Sequence, residues 1–130
     1  MKKEELIEAA AKVRENAHAP FSNFKVGAAL ITKNGKIYAG CNIENATYGL
    51  TICAERNAIF KAISEGEKEF ETISVVADTE ELTPPCGACR QIIWEFCGDI
   101  PVILANLKGD SETVMMKELF PRAFDAKFLK

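Results

Sequence analysis

Two short apolar runs with a helix between them constrain this chain more than any other feature. Thr72 to Asp78 is rich in β-branched residues, Cys86 to Phe96 reads as a helix behind Thr83-Pro84-Pro85, and Val102 to Ala105 is almost wholly apolar. Strand, helix and strand in that order predict a βαβ unit with parallel strands and a right-handed crossover. A strand as apolar as Val102 to Ala105 is expected to be buried on both faces. Thr113 to Met116 has the pattern of one more strand, separated from it only by Asn106 to Glu112. That link is too short for a parallel crossover, so the last strand is expected to run antiparallel to its predecessor.

The preceding half supplies the rest of the fold. Leu6, Ala10, Val13 and Ala17 recur at helical spacing between Glu4 and Ala17. Lys25 to Ile31 and Ile37 to Asn42 read as strands joined around Asn34-Gly35, which predicts an antiparallel hairpin with a type I′ turn and positive φ at both central residues. Ile52 to Gly66 carries Ala54, Ala58, Ile59, Ala62 and Ile63 and reads as a second helix. The expected architecture is α/β, a three-layer α-β-α arrangement. Its mixed five-stranded sheet has strands 1 and 2 as a hairpin, strands 3 and 4 parallel, and strand 5 antiparallel. No repeat or Gly/Ser-rich linker divides the sequence, so residues 1–130 read as one domain.

Composition narrows the function classes. Hydrophobic residues are 48% and charged residues 27%, an ordinary globular balance. No apolar run approaches the roughly 18 residues of a membrane helix. Met1-Lys2-Lys3-Glu4-Glu5 leads straight into an amphipathic pattern, so no signal peptide is expected. A net charge of −3 argues against a polynucleotide partner, which calls for a basic face, and favours a small molecule. Five cysteines with no secretory signal point to a reducing, cytoplasmic setting in which thiols stay free or hold metal. With His18 as the single histidine, a metal site must be built mainly from sulfur.

Cys53-Ala54-Glu55-Arg56 and Pro85-Cys86-Gly87-Ala88-Cys89-Arg90 each open one of the expected helices. Cys86 and Cys89, three apart, share a helix face and can grip one ion, and helix N-termini favour thiolates. Cys53 as third ligand leaves the fourth tetrahedral position of a zinc ion open, the mark of a catalytic site. Glu55 is then the acid/base for a water there. Because Cys53 and Glu55 are two apart, both can serve only if Cys53 sits at the mouth of its helix, before regular winding begins. Cys41 and Cys97 read as small buried hydrophobes, and Cys41 is the sole candidate for a fourth ligand. His18 reads as an ordinary polar loop residue, and Arg90 as a surface or inter-subunit cation. Phe120, Phe124 and Phe128 recur every four residues as a core or interface stripe, but Pro121 speaks against one regular helix.

The C-A-E and P-C-x-x-C segments resemble those of the zinc-dependent nucleoside and nucleobase deaminases, more narrowly the small homotetrameric cytidine deaminases with three cysteine ligands. The resemblance extends through Ala19-Pro20-Phe21-Ser22-Asn23-Phe24-Lys25-Val26-Gly27-Ala28-Ala29 and Gly40-Cys41-Asn42-Ile43-Glu44-Asn45-Ala46. It implies that Zn²⁺ is bound by Cys53, Cys86 and Cys89, with Glu55 as the catalytic proton shuttle. It also implies that Asn42 and Glu44 hold ribose hydroxyls, Phe24 lines the nucleoside pocket, and Ala54 offers backbone contacts to the base. Phe124 would reach a neighbouring subunit's pocket. Arg56 would donate hydrogen bonds to the sulfurs, which matters because a three-thiolate zinc carries net negative charge and is a weak Lewis acid. The implied reaction is hydrolytic deamination of cytidine and 2′-deoxycytidine in pyrimidine salvage. Water adds at C4 while Glu55 carries a proton to N3 and then to the departing amine.

Three rival functions stand beside this one. A related small deaminase could act on a cytosine-bearing antibiotic such as blasticidin S, but Asn42-Ile43-Glu44 favours an unmodified ribose. An editing deaminase acting on polynucleotides is opposed by the acidic charge and by the expected antiparallel fifth strand. A metal-binding interaction module without turnover is the third.

Overall fold

A computed structural model describes residues 3–129. Met1 and Lys2, read above for the lack of a signal peptide, lie outside the described residues, as does Lys130. In chain order the main elements are α1 (Lys3–Arg14), β1 (Val26–Thr32), β2 (Ile37–Cys41), α2 (Ala54–Ser64), β3 (Phe70–Ala77), α3 (Gly87–Cys97), β4 (Pro101–Ala105), β5 (Ser111–Met115) and a short α4 (Met116–Leu119). Single 3₁₀ turns span Tyr48–Leu50 and Ala126–Leu129. The sheet order is β2-β1-β3-β4-β5. As the sequence predicts, β1 is antiparallel to β2, β3 is parallel to β4, and β5 is antiparallel to β4; the antiparallel pairing of β1 with β3 joins the hairpin to the rest of the sheet.

Alternation along the strands divides the core between two faces. Leu30, Ile73, Val75, Val102 and Leu104 face α2 and α3, where they meet Ile59, Ala62 and Ile93. Ala29, Ile31, Val76, Ile103 and Ala105 face α1 and cover Leu6 and Ala10. β4 is thus buried on both faces, as its composition demands. Two glycines allow helices to approach the sheet closely. A Cβ on Gly27 would lie 1.9 Å from the Ala10 carbonyl oxygen, and one on Gly40 would lie 2.5 Å from the Ala58 nitrogen.

The boundaries differ from expectation for local reasons. α1 stops at Arg14 rather than Ala17, because Glu15, Asn16 and Ala17 donate to the carbonyls of Lys12, Val13 and Arg14 in a tightened last turn. α2 ends in a Schellman motif, with Gly66 at φ 94°, Gly66 N donating to Ile63 O and Glu67 N to Ala62 O. Pro85 lies before the cap residue Cys86, outside the first turn of α3. The type I′ turn is a correction. Gly35 has positive φ (90°) but Asn34 does not, and Thr32 N donates to Lys36 O across a three-residue loop. The Thr32 hydroxyl bonds to Asn34 Oδ1 and accepts from Lys36 N, which selects the longer loop closed by a left-handed glycine. The Phe120–Phe128 stripe is no single helix. α4 ends at Leu119, before Pro121, and Phe124 and Phe128 stack with ring centres 5.7 Å apart.

Candidate functional site

The mouths of α2 and α3 meet on one side of β3. Cys53 and Cys86 are their N-cap residues, both with extended backbone (φ −73°, ψ 158° and φ −68°, ψ 171°). Cys53 therefore stands outside the helical winding, which removes the conflict with Glu55 two residues on. Neither cap side chain bonds to its own helix. The sulfurs of Cys53, Cys86 and Cys89 lie within 4.8 Å of one another, and Cys53 Sγ is 4.0 Å from Cys86 Sγ. A tetrahedral zinc with bonds of about 2.3 Å needs sulfurs about 3.8 Å apart, so the cluster fits that ion with little adjustment. Cys41 and Cys97 are not part of it.

Charge around the cluster is organised. The Arg56 guanidinium donates to Cys53 Sγ at 3.4 Å. Hydrogen bonding from Cys89 first, and then from Arg56, pushes the Cys53 thiol down to about 5, so one ligand is a thiolate before any metal arrives. Cys89 is raised, because it gives the proton in that pair and is itself buried. Arg56 Nε is buried with no hydrogen-bond partner among the described residues, so this cation is held for its charge and its single bond to sulfur.

Glu55 is 4% exposed. Burial pushes its carboxyl up to about 7, with the neighbouring Cys53 charge adding to the rise and Arg56 opposing it. A carboxyl that is half ionised near neutrality both accepts and gives up a proton readily, which general acid–base catalysis requires.

Beside the cluster opens a cavity of about 200 Å³, lined by Phe24, Val26, Asn42, Thr51, Cys53, Ala54, Glu55, Val75, Thr83, Pro84 and Cys86. Of the site residues named from sequence, Phe24, Asn42, Ala54, Glu55, Cys53 and Cys86 line it, and Cys89 and Arg56 stand behind it. Asn42 Nδ2 donates to Phe24 O and its Oδ1 accepts from Val26 N, so it fixes the segment that forms one wall. Ile43 bridges both His18 and Ile52, which joins this segment to the approach to Cys53.

Glu44 is not on the cavity. It lines an adjoining shallow depression with Phe21, Ser22, Tyr48 and Thr51. Its carboxylate accepts from the Phe21 and Ser22 amides and from the Ser22 hydroxyl, the last of which does most to hold its carboxyl below the usual range. Phe124 is 54% exposed and away from its own chain's cavity. Sequence reasoning passed over Val26, Thr51, Val75, Thr83 and Pro84. Thr83-Pro84 was legible as the run before the metal-ligand helix, but nothing marked Val75 except its place in a strand. Arg90, expected at the surface or between subunits, is instead half-buried and bonds within the chain to Pro85 O and Leu119 O.

Residues 1–105 match the family described as the cytidine and deoxycytidylate deaminase zinc-binding region. The chain belongs to that family and is an enzyme of the deaminase class. Within it, a cytidine deaminase of Sporosarcina psychrophila is 54% identical over 127 residues, covering 97% of this chain and 93% of that one. The crystal structure of cytidine deaminase from Burkholderia pseudomallei superposes with a TM-score of 0.93 at 49% identity, over 95% of this chain and 100% of the other. A blasticidin-S deaminase of Bacillus cereus is more distant, 35% identical over 104 residues and 74% of each chain.

Proposed function

We propose that this chain hydrolyses cytidine and 2′-deoxycytidine to uridine and 2′-deoxyuridine with release of ammonia, a step of pyrimidine salvage in the cytoplasm. The observation that carries the reading is a buried Glu55 carboxyl at the wall of a cavity and beside three convergent cysteine sulfurs. Zinc held by Cys53, Cys86 and Cys89 supplies, when bound, Lewis acidity toward a water at its open position. Glu55 takes one proton from the attacking water and delivers it to N3 of cytosine, then takes the second from the hydroxyl now on C4 and delivers it to the amino group, which leaves as ammonia while the C4 carbonyl forms. The Arg56 cation offsets the excess negative charge of three thiolates.

Substrate is held by groups that are already oriented. Asn42 spends one donor and one acceptor site on the backbone and keeps one of each for a ribose hydroxyl. Glu44, kept ionised by Ser22 and two amides, accepts from the other hydroxyl in the depression that adjoins the cavity at Thr51. The Phe24 ring forms a wall, the Ala54 backbone reads the base, and Phe124 closes the pocket of a neighbouring copy in a homotetramer. The 130 residues act as one domain, with no nucleic-acid or membrane partner; among the described residues no helix is long and apolar enough to cross a membrane.

The test is to incubate the zinc-loaded chain with cytidine, blasticidin S and a cytosine-containing oligonucleotide in parallel and follow each ultraviolet spectrum. Cytidine should convert to uridine. Turnover of either rival in preference to cytidine, or of none of the three, overturns the reading. Glu55→Gln should keep zinc and fold yet lose about 10²–10⁴-fold or more in kcat. Near-normal turnover in that variant would show that another group moves the protons.

A further inference from the structure

We infer that Arg90 is a positioning residue for the metal-ligand loop, acting on the Cys86 ligand through the Pro85 carbonyl. Thr83-Pro84-Pro85-Cys86 forms the side of the site opposite α2, and Pro84 and Cys86 line the cavity. The two prolines contribute no N–H of their own to anchor this run, and the Cys86 side chain does not cap α3. The Thr83 hydroxyl meets that of Thr79 at 3.0 Å and holds the start of the run, and at its other end the Pro85 carbonyl is claimed by Arg90 Nε at 2.8 Å. Pro85 is fully buried, so no water competes for that oxygen.

The same guanidinium donates through Nη1 to Leu119 O at 2.5 Å, the last residue of α4. One rigid planar fork thus fixes the carbonyl next to a metal ligand and the end of the helix from which the C-terminal tail departs. Lysine, a single point donor, cannot hold two carbonyls in fixed geometry. α3 reaches that tail at two further points, Gln91 Nε2 to Phe124 O at 2.9 Å and Trp94 Nε1 to Asp125 Oδ2 at 3.1 Å. Arg90 alone of the three touches the metal-ligand loop. The cation expected at the surface serves as a strut between the site and the tail.

The inference rests on the reading that Cys53, Cys86 and Cys89 hold zinc, and the experiment separates the two. Zinc release from the zinc-loaded full chain is followed with the chromogenic chelator 4-(2-pyridylazo)resorcinol, with circular dichroism as the check on folding. Groups that orient metal ligands from outside typically change metal affinity about 10–100-fold. Arg90→Gln should release zinc faster by that order, and Arg90→Lys should fall between it and the wild type. Trp94→Phe, which cuts a tail contact on the same helix without touching Pro85, should release zinc at the wild-type rate. Wild-type release from a folded Arg90→Gln chain overturns the inference, as does equal acceleration in Trp94→Phe. Should Arg90→Gln fail to fold, Arg90→Lys carries the test: faster release supports the inference and wild-type release overturns it. A wild-type chain that takes up no zinc overturns the zinc reading and this inference together, whereas a zinc-loaded wild type paired with an unaffected variant overturns this inference alone.

Discussion

The five cysteines differ because their surroundings do. Cys53 is lowered by hydrogen bonding with Cys89 first and with the Arg56 guanidinium after it, whereas Cys97, packed at the end of α3 against the core, is pushed up to about 12 by burial. Cys97 carries a prediction about alkali. The folded chain holds its thiol proton up to about 12, while the unfolded chain releases it near the ordinary value of 9.0. Folding stability from this group is therefore complete below pH 9 and is lost as pH rises from 9 toward 12. By pH 10 the loss should be about 1.4 kcal/mol, one pK unit's worth. Urea unfolding of the wild type and Cys97→Ala at pH 7 and pH 10 should show the smaller decline in the variant; equal declines would mean that the thiol ionises in the folded chain as freely as in the unfolded one.

At the scale of elements, the seating of α2 decides where Cys53 and Glu55 point. Gly40 in β2 leaves the space that α2 occupies: a Cβ there would lie 2.5 Å from Ala58 N and 2.9 Å from Ala54 O, both backbone atoms that cannot turn aside. Gly40→Ala should force the helix outward, costing about 1–3 kcal/mol as overpacking. The first turn of the helix moves with it, so kcat should fall by more than the loss of folded protein explains. Thermal unfolding and turnover measured on the same sample check this, and an active, undestabilised variant would show that α2 does not need the close approach. Much of this layout was legible in the sequence. The Asn106–Glu112 link dictated an antiparallel β5, and the two-residue step from Cys53 to Glu55 dictated a ligand at the cap. What escaped was set by contacts distant in sequence or by side chains competing within a turn. Arg90's second carbonyl lies 29 residues away, Glu44's amides lie 22 and 23 residues back, and the Thr32 hydroxyl rather than Asn34-Gly35 alone chose the hairpin loop.

For the whole molecule, the cavity is open on one side, and no element among the described residues covers it. Besides Phe24 at the cavity and Phe21 and Tyr48 beside it, aromatic surface is exposed where Phe124 and Phe128 stack in the tail and where Phe60 meets Phe96 edge-on across α2 and α3. Patches of this kind mark association, and a tetramer with 222 symmetry joins the two facts by letting one copy's tail close another's cavity. An aromatic buried between subunits contributes about 1.5–3 kcal/mol. Deleting Ala123 to Lys130 should therefore raise KM and lower the sedimentation coefficient together. A fully active monomer in analytical ultracentrifugation at assay concentration would rule out shared sites.

The alternation of β3 has a consequence for how this protein tolerates change. Val75 lines the cavity beside the cysteine cluster, while Val76, its immediate neighbour, is sealed beneath α1 on the far side of the sheet. One peptide bond separates a position that serves both the cavity wall and the α2–α3 core from a position that serves the α1 core alone. A change of volume at Val75 is therefore felt in the site and in stability together, and one at Val76 in stability first.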